Sequence, residues 1–438
     1  METIKLSKYT IQFKTKGNYL VYNSFTNSFL EVEEKLFNII TDARKGKTDI
    51  LEQLDDSTKD QLFENGILVS NPKDNFNELK LMRHLRRFRN DFLSLTIAPT
   101  FACNFRCEYC FEENFQNKKL SSELKSEIIN FIKGYDVKHL NITWYGGEPL
   151  LVFDDIVELN KLISDLDVNY NSSIITNGYL LSEETIKKFD ELRIKSIQIT
   201  IDGPKEIHNA RRPHVSNKDS FTRIMNNIDL LKKFYKGHVK IRVNIDNENA
   251  KYYPEVFKSL KIKHPKAFVY PGFVTTDITL CKSVGGCSFT HNDKAKFKIN
   301  NYKKHKIIED TLFPTLVNSE CMARQINSYL IDPEGNLYKC WEHIGKDEFI
   351  VGNLLDGEKA NNDMLTRYLT GADPLSNPMC TECNLLPICD GGCPHQLVQN
   401  LYTNSNYDTC STFKDHIEQF LELHYNHKLE IEKTTELI

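Results

Sequence analysis

No stretch of this 438-residue chain approaches the ~20 consecutive apolar residues that a membrane-spanning helix needs. The opening segment, METIKLSKYTIQFK, lacks the apolar centre of a secretory signal. These two absences predict a soluble, cytoplasmic protein with no membrane partner. An excess of one charge is missing as well. Basic residues number 56 and acidic ones 60, a net of −4, so no global field recommends nucleic acid as a partner. Internal repeats and low-complexity tracts are absent too. With 40% apolar and 26% charged residues the chain can bury a core.

Cysteine is what the chain does have, 12 in all. In a long chain without an export signal, cysteines point to metal or redox work before disulfides. Cys103, Cys107 and Cys110 form one cluster. Cys281, Cys287, Cys321, Cys340, Cys380, Cys383, Cys389, Cys393 and Cys410 form another, after 170 residues without cysteine.

Residues 1–75 read as a separate module. Strands are expected at Tyr9–Lys14 and Tyr19–Val32 with a turn at Gly17-Asn18, then helices at Val32–Ala43 and Ser57–Glu64, and a returning strand at 66–69. Strands followed by short helices suggest a winged-helix-like module. The basic run ELKLMRHLRRFRN lies within a linker helix over 76–90 and reads as a solvated face, or alternatively as a groove for an acidic partner.

From Asp91 the pattern changes. Strands are expected at 93–99, 140–145, 172–176, 196–201, 239–245 and 267–273, and helices at 122–133, 154–166, 182–192, 219–235 and 252–260. Strands alternating with helical patterns imply right-handed βαβ units and a parallel sheet. Six such units over 91–275 close most of a barrel, giving an α/β fold of the partial (β/α)6 type. Ile197, Ile199 and Ile201 oppose Gln198, Thr200 and Asp202, and Val239, Ile241, Val243 and Ile245 oppose Lys240, Arg242 and Asn244. In a barrel the polar sets face inward, around a wet interior; the alternative is a sheet solvated on one side. Residues 276–320 bridge to an irregular segment, 321–410, dense in Cys, Pro, Gly and Asn, which needs staples to hold a fold. Residues 411–438 close with a helix.

The spacing Cys103-x3-Cys107-x2-Cys110 follows directly on the first barrel strand. Three thiolates on one tight loop suit three irons of a four-iron cluster and leave the fourth iron open. Zinc is the alternative occupant, but structural zinc sites favour four ligands in two pairs. This loop resembles that of the radical S-adenosylmethionine (SAM) enzymes, as does the aromatic Tyr109 before its third cysteine. Gly146-Gly147-Glu148-Pro149, directly after the second strand, resembles the family's loop for the amino group of the methionine moiety. Its glycines let backbone approach a ligand, and Glu148 is expected to offer an anionic acceptor to the ammonium. Thr176 and Asn177 end the third strand as in relatives. The resemblance also implies contacts to SAM from Thr200, Arg242 and Asn244, and substrate-side roles for Gln198 and Asp202.

Cys321-x13-Gly335-x4-Cys340, then Cys380-x2-Cys383-x5-Cys389-x3-Cys393 and Cys410, resembles the SPASM extension of radical enzymes that modify peptides and proteins. That resemblance implies two auxiliary clusters. Cys380, Cys383, Cys389 and Cys410 would hold the outer one, and Cys321, Cys340 and Cys393 the inner one, with zinc again the alternative. The inner cluster is one ligand short. Cys281 or Cys287 is a candidate for it or for a catalytic thiol; both could instead be inert, or a substrate cysteine could fill the site.

The resemblance thus implies three 4Fe–4S clusters and SAM. Reductive cleavage of SAM would give a 5′-deoxyadenosyl radical, which abstracts a hydrogen from an unactivated carbon. An electron donor such as flavodoxin or ferredoxin is implied. The N-terminal module is similar in outline to the peptide-recognition domains of ribosomal peptide maturases, which take a leader peptide as an added strand. A precursor peptide is therefore the expected partner. An intramolecular crosslink is the expected product, thioether first and carbon–carbon or aryl–carbon macrocycle next. The rival enzyme is an anaerobic sulfatase-maturing, formylglycine-forming enzyme. Those enzymes lack a module of this length and carry Asp where this chain has Trp341. A non-catalytic zinc-binding interaction protein is the remote alternative.

Overall fold

The computed structural model describes residues 4–112, 116–274, 289–309, 311–356 and 361–435. Its centre is a nine-stranded sheet. Six parallel strands run in sequence order: β6 (Phe92–Ile97), β7 (His139–Trp144), β8 (Asn169–Thr176), β9 (Ile194–Thr200), β10 (His238–Ile245) and β11 (Phe268–Phe273). β11 stays at the edge of the sheet, so the array of βα units is open. On the far side, β12 (Ser328–Ile331) pairs in parallel with β6, and β13 (Asn336–Tyr338) and β14 (Gly352–Asn353) continue it antiparallel. The cysteine-rich region is thereby built onto the same sheet.

The period-two patterns decide which face is which. Ile197, Ile199, Ile241 and Val243 pack into one large apolar cluster with the helices Phe153–Ser164 and Ser220–Phe234. Gln198, Thr200, Arg242 and Asn244 point the other way, into a cavity. Two expectations shift. The helix foreseen over 182–192 ends at Lys187, and turns carry the chain back to the sheet through Arg193, which sits in the left-handed region (φ 49°). Helices Lys205–Arg211 and His291–His305 were not foreseen, being weakly amphipathic.

The N-terminal residues form an antiparallel sheet of β2 (Thr10–Thr15), β3 (Asn18–Asn23) and β4 (Ser28–Val32), with β1 (Lys5–Leu6) paired to β5 (Leu68–Val69). The single strand expected over 19–32 breaks at a turn that places Asn27 at φ 59°. Ile11, Phe13, Leu20 and Tyr22 pack against Phe420 and Leu421 of the helix Ile417–Thr435.

The basic run is a solvated face only in part: Lys80 and Arg89 are exposed, but two of its arginines turn inward. Within the helix Pro72–Arg87, Arg83 and Arg87 are only 3% and 1% exposed. Arg83 donates to the carbonyls of Leu386 and Cys389 at 2.7 Å each, and Arg87 pairs with Asp373 and Glu320. The helix bolts the N-terminal module to the cysteine-rich region. No helix among the described residues is long and apolar enough to cross a membrane.

Candidate functional site

The loop after β6 carries Cys103, Cys107 and Cys110, and three neighbours set its shape. Arg106 donates its backbone N–H to Pro213, and Val215 donates to Asn104, which clamps the loop to the segment after Arg211. On the other side runs the Gly146-Gly147 loop. Gly147 donates to Thr100 and Glu148 to Ala102. A Cβ on Gly147 would lie 2.3 Å from the Ala102 carbonyl oxygen; one on Gly146, at φ 98°, would lie 2.7 Å from that of Thr100. Only glycine permits this approach.

The three thiols lie in a cavity of about 230 Å³ at the C-terminal ends of the parallel strands, where open α/β sheets place their ligands. Burial pushes Cys103 and Cys110 up to about 12 and raises Cys107 too. Such thiols ionise only when positive charge is supplied, so this donor set fits an iron cluster, which binds thiolate sulfur. The opposite walls are polar. Thr176, Asn177, Gln198, Thr200, Arg242 and Asn244 all reach the cavity, as does Tyr109. Arg242 donates through Nε to Asn244 Oδ1 at 2.7 Å, which leaves the end of its guanidinium fork for an anion. Gly272 makes room for it, since a Cβ there would lie 2.1 Å from Arg242 Nε. A carboxylate-bearing, amine-bearing ligand such as SAM matches these walls.

Three residues lie elsewhere than the sequence suggests. Glu148 does not line the cavity. It is fully buried, and its carboxylate accepts from Thr176 Oγ1, from the backbone of Asn177 and from the backbone of Leu150. It latches the ends of β7 and β8 together, and the backbone of Gly146 and Gly147 is what faces a ligand. Pro149 is buried in the following 3₁₀ turn. Asp202 is also withdrawn, 1% exposed behind Tyr109, whose phenol donates to it at 2.5 Å. Arg212 and Asn244 donate to the same phenol. Asp202 therefore positions Tyr109 and does not reach the cavity. Cys281 and Cys287 lie outside the described residues.

Sequence reasoning missed Arg212, Glu112, Tyr145 and Glu342, all of which line the cavity. Burial pushes Glu112 up to about 7 and raises Glu342. Trp341 stacks on Tyr145 with centroids 4.9 Å apart and donates through Nε1 to Thr96. The Arg211-Arg212-Pro213-His214 run after β9 was the available signal, since paired arginines beside a buried aspartate need a common partner.

The remaining described cysteines converge in two groups. Burial lifts Cys340 far above its ordinary value, with Cys393 and Cys321 close enough to push it further. Burial also raises Cys380, assisted by Cys383 and Cys410, and Cys389, which goes to about 11 with Cys380 contributing. Gly335, at φ 83°, turns the β12–β13 hairpin that brings Cys340 back beside Cys321.

The sequence profile of the radical SAM superfamily matches residues 97–260. The cysteine-type anaerobic sulfatase-maturating enzyme of Clostridium novyi is 24% identical over 307 residues, covering 64% of this chain and 80% of its own. The serine-type enzyme of Klebsiella aerogenes is 22% identical over 280 residues, 59% of this chain and 68% of its own. Among solved structures, an anaerobic sulfatase-maturating enzyme, anSMEcpe, with bound AdoMet and a peptide superposes with a TM-score of 0.62. It has 21% identity and covers 78% of this chain and 99% of its own. Streptococcus suis SuiB bound to S-adenosylmethionine superposes with a TM-score of 0.53 at 16% identity, covering 93% of this chain and 98% of its own. SuiB has also been solved bound to its precursor peptide SuiA.

Proposed function

From the premise that residues 97–260 are a radical SAM domain and the chain an enzyme, we propose that it installs an intramolecular crosslink in a precursor peptide, a thioether first among the possible bonds. The observation that carries this reading is the free edge of β4. Among the described residues that strand pairs only with β3. Beside it lies a groove of about 280 Å³ between the strand and the helix Asp56–Glu64, lined by Leu30, Val32, Leu36, Gln61 and Leu62 among others. An unpaired strand edge flanked by a groove of mixed lining, with Leu30, Val32, Leu36 and Leu62 beside Glu31, Glu33 and Gln61, suits a peptide added as a further strand. The likeness to SuiB spans 93% of the chain and that to the sulfatase-maturating structure 78%, which agrees with an N-terminal module of the former kind.

Cys103, Cys107 and Cys110 would hold a four-iron cluster that, with SAM bound beside it, would supply the hydrogen-abstracting radical. The chain's own residues do the rest. The Gly146-Gly147 backbone receives an ammonium, and Arg242 grips a carboxylate. Tyr109, held by Asp202 and Arg212, fixes the cysteine loop against β10. Phe111, Phe273, Val274 and Trp341 wall the cavity with apolar surface, which keeps water from a reactive intermediate. Forming a thioether releases a thiol proton, and Glu112 and Glu342 are the carboxylates placed to take it. The SPASM-like cysteines would hold two further clusters, and an external donor of the flavodoxin or ferredoxin class would supply electrons.

Formylglycine formation is the second reading, favoured by the names of the curated relatives. The two separate in one experiment. Leu36→Asp, in the groove and away from the cavity, should lower processing of a leader-bearing peptide at least tenfold while uncoupled SAM cleavage continues. Equal processing of peptides with and without leader, by both proteins, would remove the leader-binding reading. Cys107→Ala should abolish 5′-deoxyadenosine altogether.

A further inference from the structure

Three cysteines, Cys321, Cys340 and Cys393, converge behind the cavity wall that Trp341 and Glu342 form, and a cuboidal cluster on them would need a fourth ligand. The structure supplies candidates that carry no sulfur. One ligand atom each from Cys340, His343 and His395 lies within 4.8 Å of the other two. His343 follows Cys340 by three residues and His395 follows Cys393 by two, so two of the ligand segments each bring an imidazole to the same point. A second observation concerns how these rings are held. His343 is 1% exposed, stacks on Phe349 at 3.7 Å, and has a sealed Nδ1 with no hydrogen-bond partner. Its Nε2 lies 3.0 Å from His395 Nδ1 and 3.2 Å from the Tyr368 hydroxyl. A histidine that ligates a metal engages its other ring nitrogen in a fixed hydrogen bond, which sets tautomer and ring orientation. His395 has such a bond at Nδ1, to the buried and stacked ring of His343.

We propose that His395 supplies the fourth, nitrogen ligand of the inner cluster, with His343 as the residue that positions it. This rests on the three-cluster reading given above. The assignment closes the cluster from within the described fold, with no call on Cys281, Cys287 or a substrate cysteine. It also sets the cluster's character. A neutral imidazole in place of a thiolate removes one negative charge and raises the reduction potential, which suits an acceptor for the electron released as product forms.

The test uses the full chain, reconstituted anaerobically, reduced and without SAM, whose own amine would add a nitrogen signal. Wild type should bind about twelve irons and show, by pulsed paramagnetic resonance, a strongly coupled nitrogen that responds to 15N-histidine labelling. His395→Ala should lose that coupling. His395→Cys should lose it too, keep about twelve irons by the same arithmetic, and shift one midpoint potential downward. His343→Phe should leave the coupling present but altered in size. About twelve irons with no isotope-sensitive coupling, or a coupling that survives in His395→Ala, overturns the ligand assignment and leaves the clusters standing. A wild type that saturates near eight irons, unchanged by Cys321→Ala, overturns the three-cluster reading and the assignment with it.

Discussion

Tyr109 donates its phenolic proton to Asp202 at 2.5 Å, joining the cysteine loop to the end of β9 across 93 residues of chain. Arg212 and Asn244 converge on the same oxygen. Tyr109→Phe keeps the ring and leaves three buried partners short of a bond. The variant is expected to be less stable by roughly 2 kcal/mol, read by urea unfolding, and to hold SAM more weakly, read by equilibrium binding.

Gly147→Ala tests the close approach of the glycine loop to the cysteine loop while leaving the three thiols unsubstituted. The added methyl would stand 2.3 Å from the Ala102 carbonyl oxygen, backbone against backbone, so the cysteine loop must move. Overpacking of this kind costs about 1–3 kcal/mol. Iron bound at the first cluster should fall, and an iron assay on a variant that also lacks the later cysteines reads it directly.

His208 offers a pH signature. Burial holds it down to about 3, and its Nδ1 accepts the backbone N–H of Asp202 at 3.3 Å, so the folded ring is neutral. The unfolded ring takes a proton near pH 6.5. A depressed histidine stabilises the fold fully above that pH and progressively less as pH falls toward the folded value. Between pH 7 and pH 5 its contribution should drop by about 2 kcal/mol. Unfolding curves of wild type should therefore show a larger acid loss than those of His208→Asn, by about that amount.

Arg83→Met removes the bolt between the N-terminal helix and the cysteine-rich region. The carbonyls of Leu386 and Cys389 lose their donor in a buried setting. A loss of roughly 2–4 kcal/mol is expected, seen as a lower unfolding temperature. A fall in iron at Cys380, Cys383 and Cys389 should accompany it, because the segment carrying Cys389 is what Arg83 holds.

The alternating strands were legible because their period is strict. Gln198/Thr200 and Arg242/Asn244 were assigned inward by pattern alone, and they do line the cavity. Helix Ser122–Lys133 was legible to its ends, and the structure shows what holds them, the Ser121 side chain at the start and Gly134 at the close. Glu148 and Asp202 were readable as important but not as withdrawn, because nothing in the order of residues says which way a carboxylate turns. The fates of Arg83 and Arg87 were hidden for a similar reason. A basic helix looks solvated until its partners, some three hundred residues away, are known. His343 and His395 were invisible as a pair, since each is an ordinary residue near a cysteine until the fold sets their rings together.

Tyr425 donates to Glu31 and accepts from Asn18, and Thr15 donates to Glu422, all across about four hundred residues. These bonds impose an order of events during synthesis. The apolar side of β2 and β3 emerges from the ribosome long before the helix that covers it exists. Until that helix arrives, the module carries an open sticky face next to an open strand edge. Chaperone protection over that interval, or provisional cover by a peptide strand, is what the architecture demands of a growing chain.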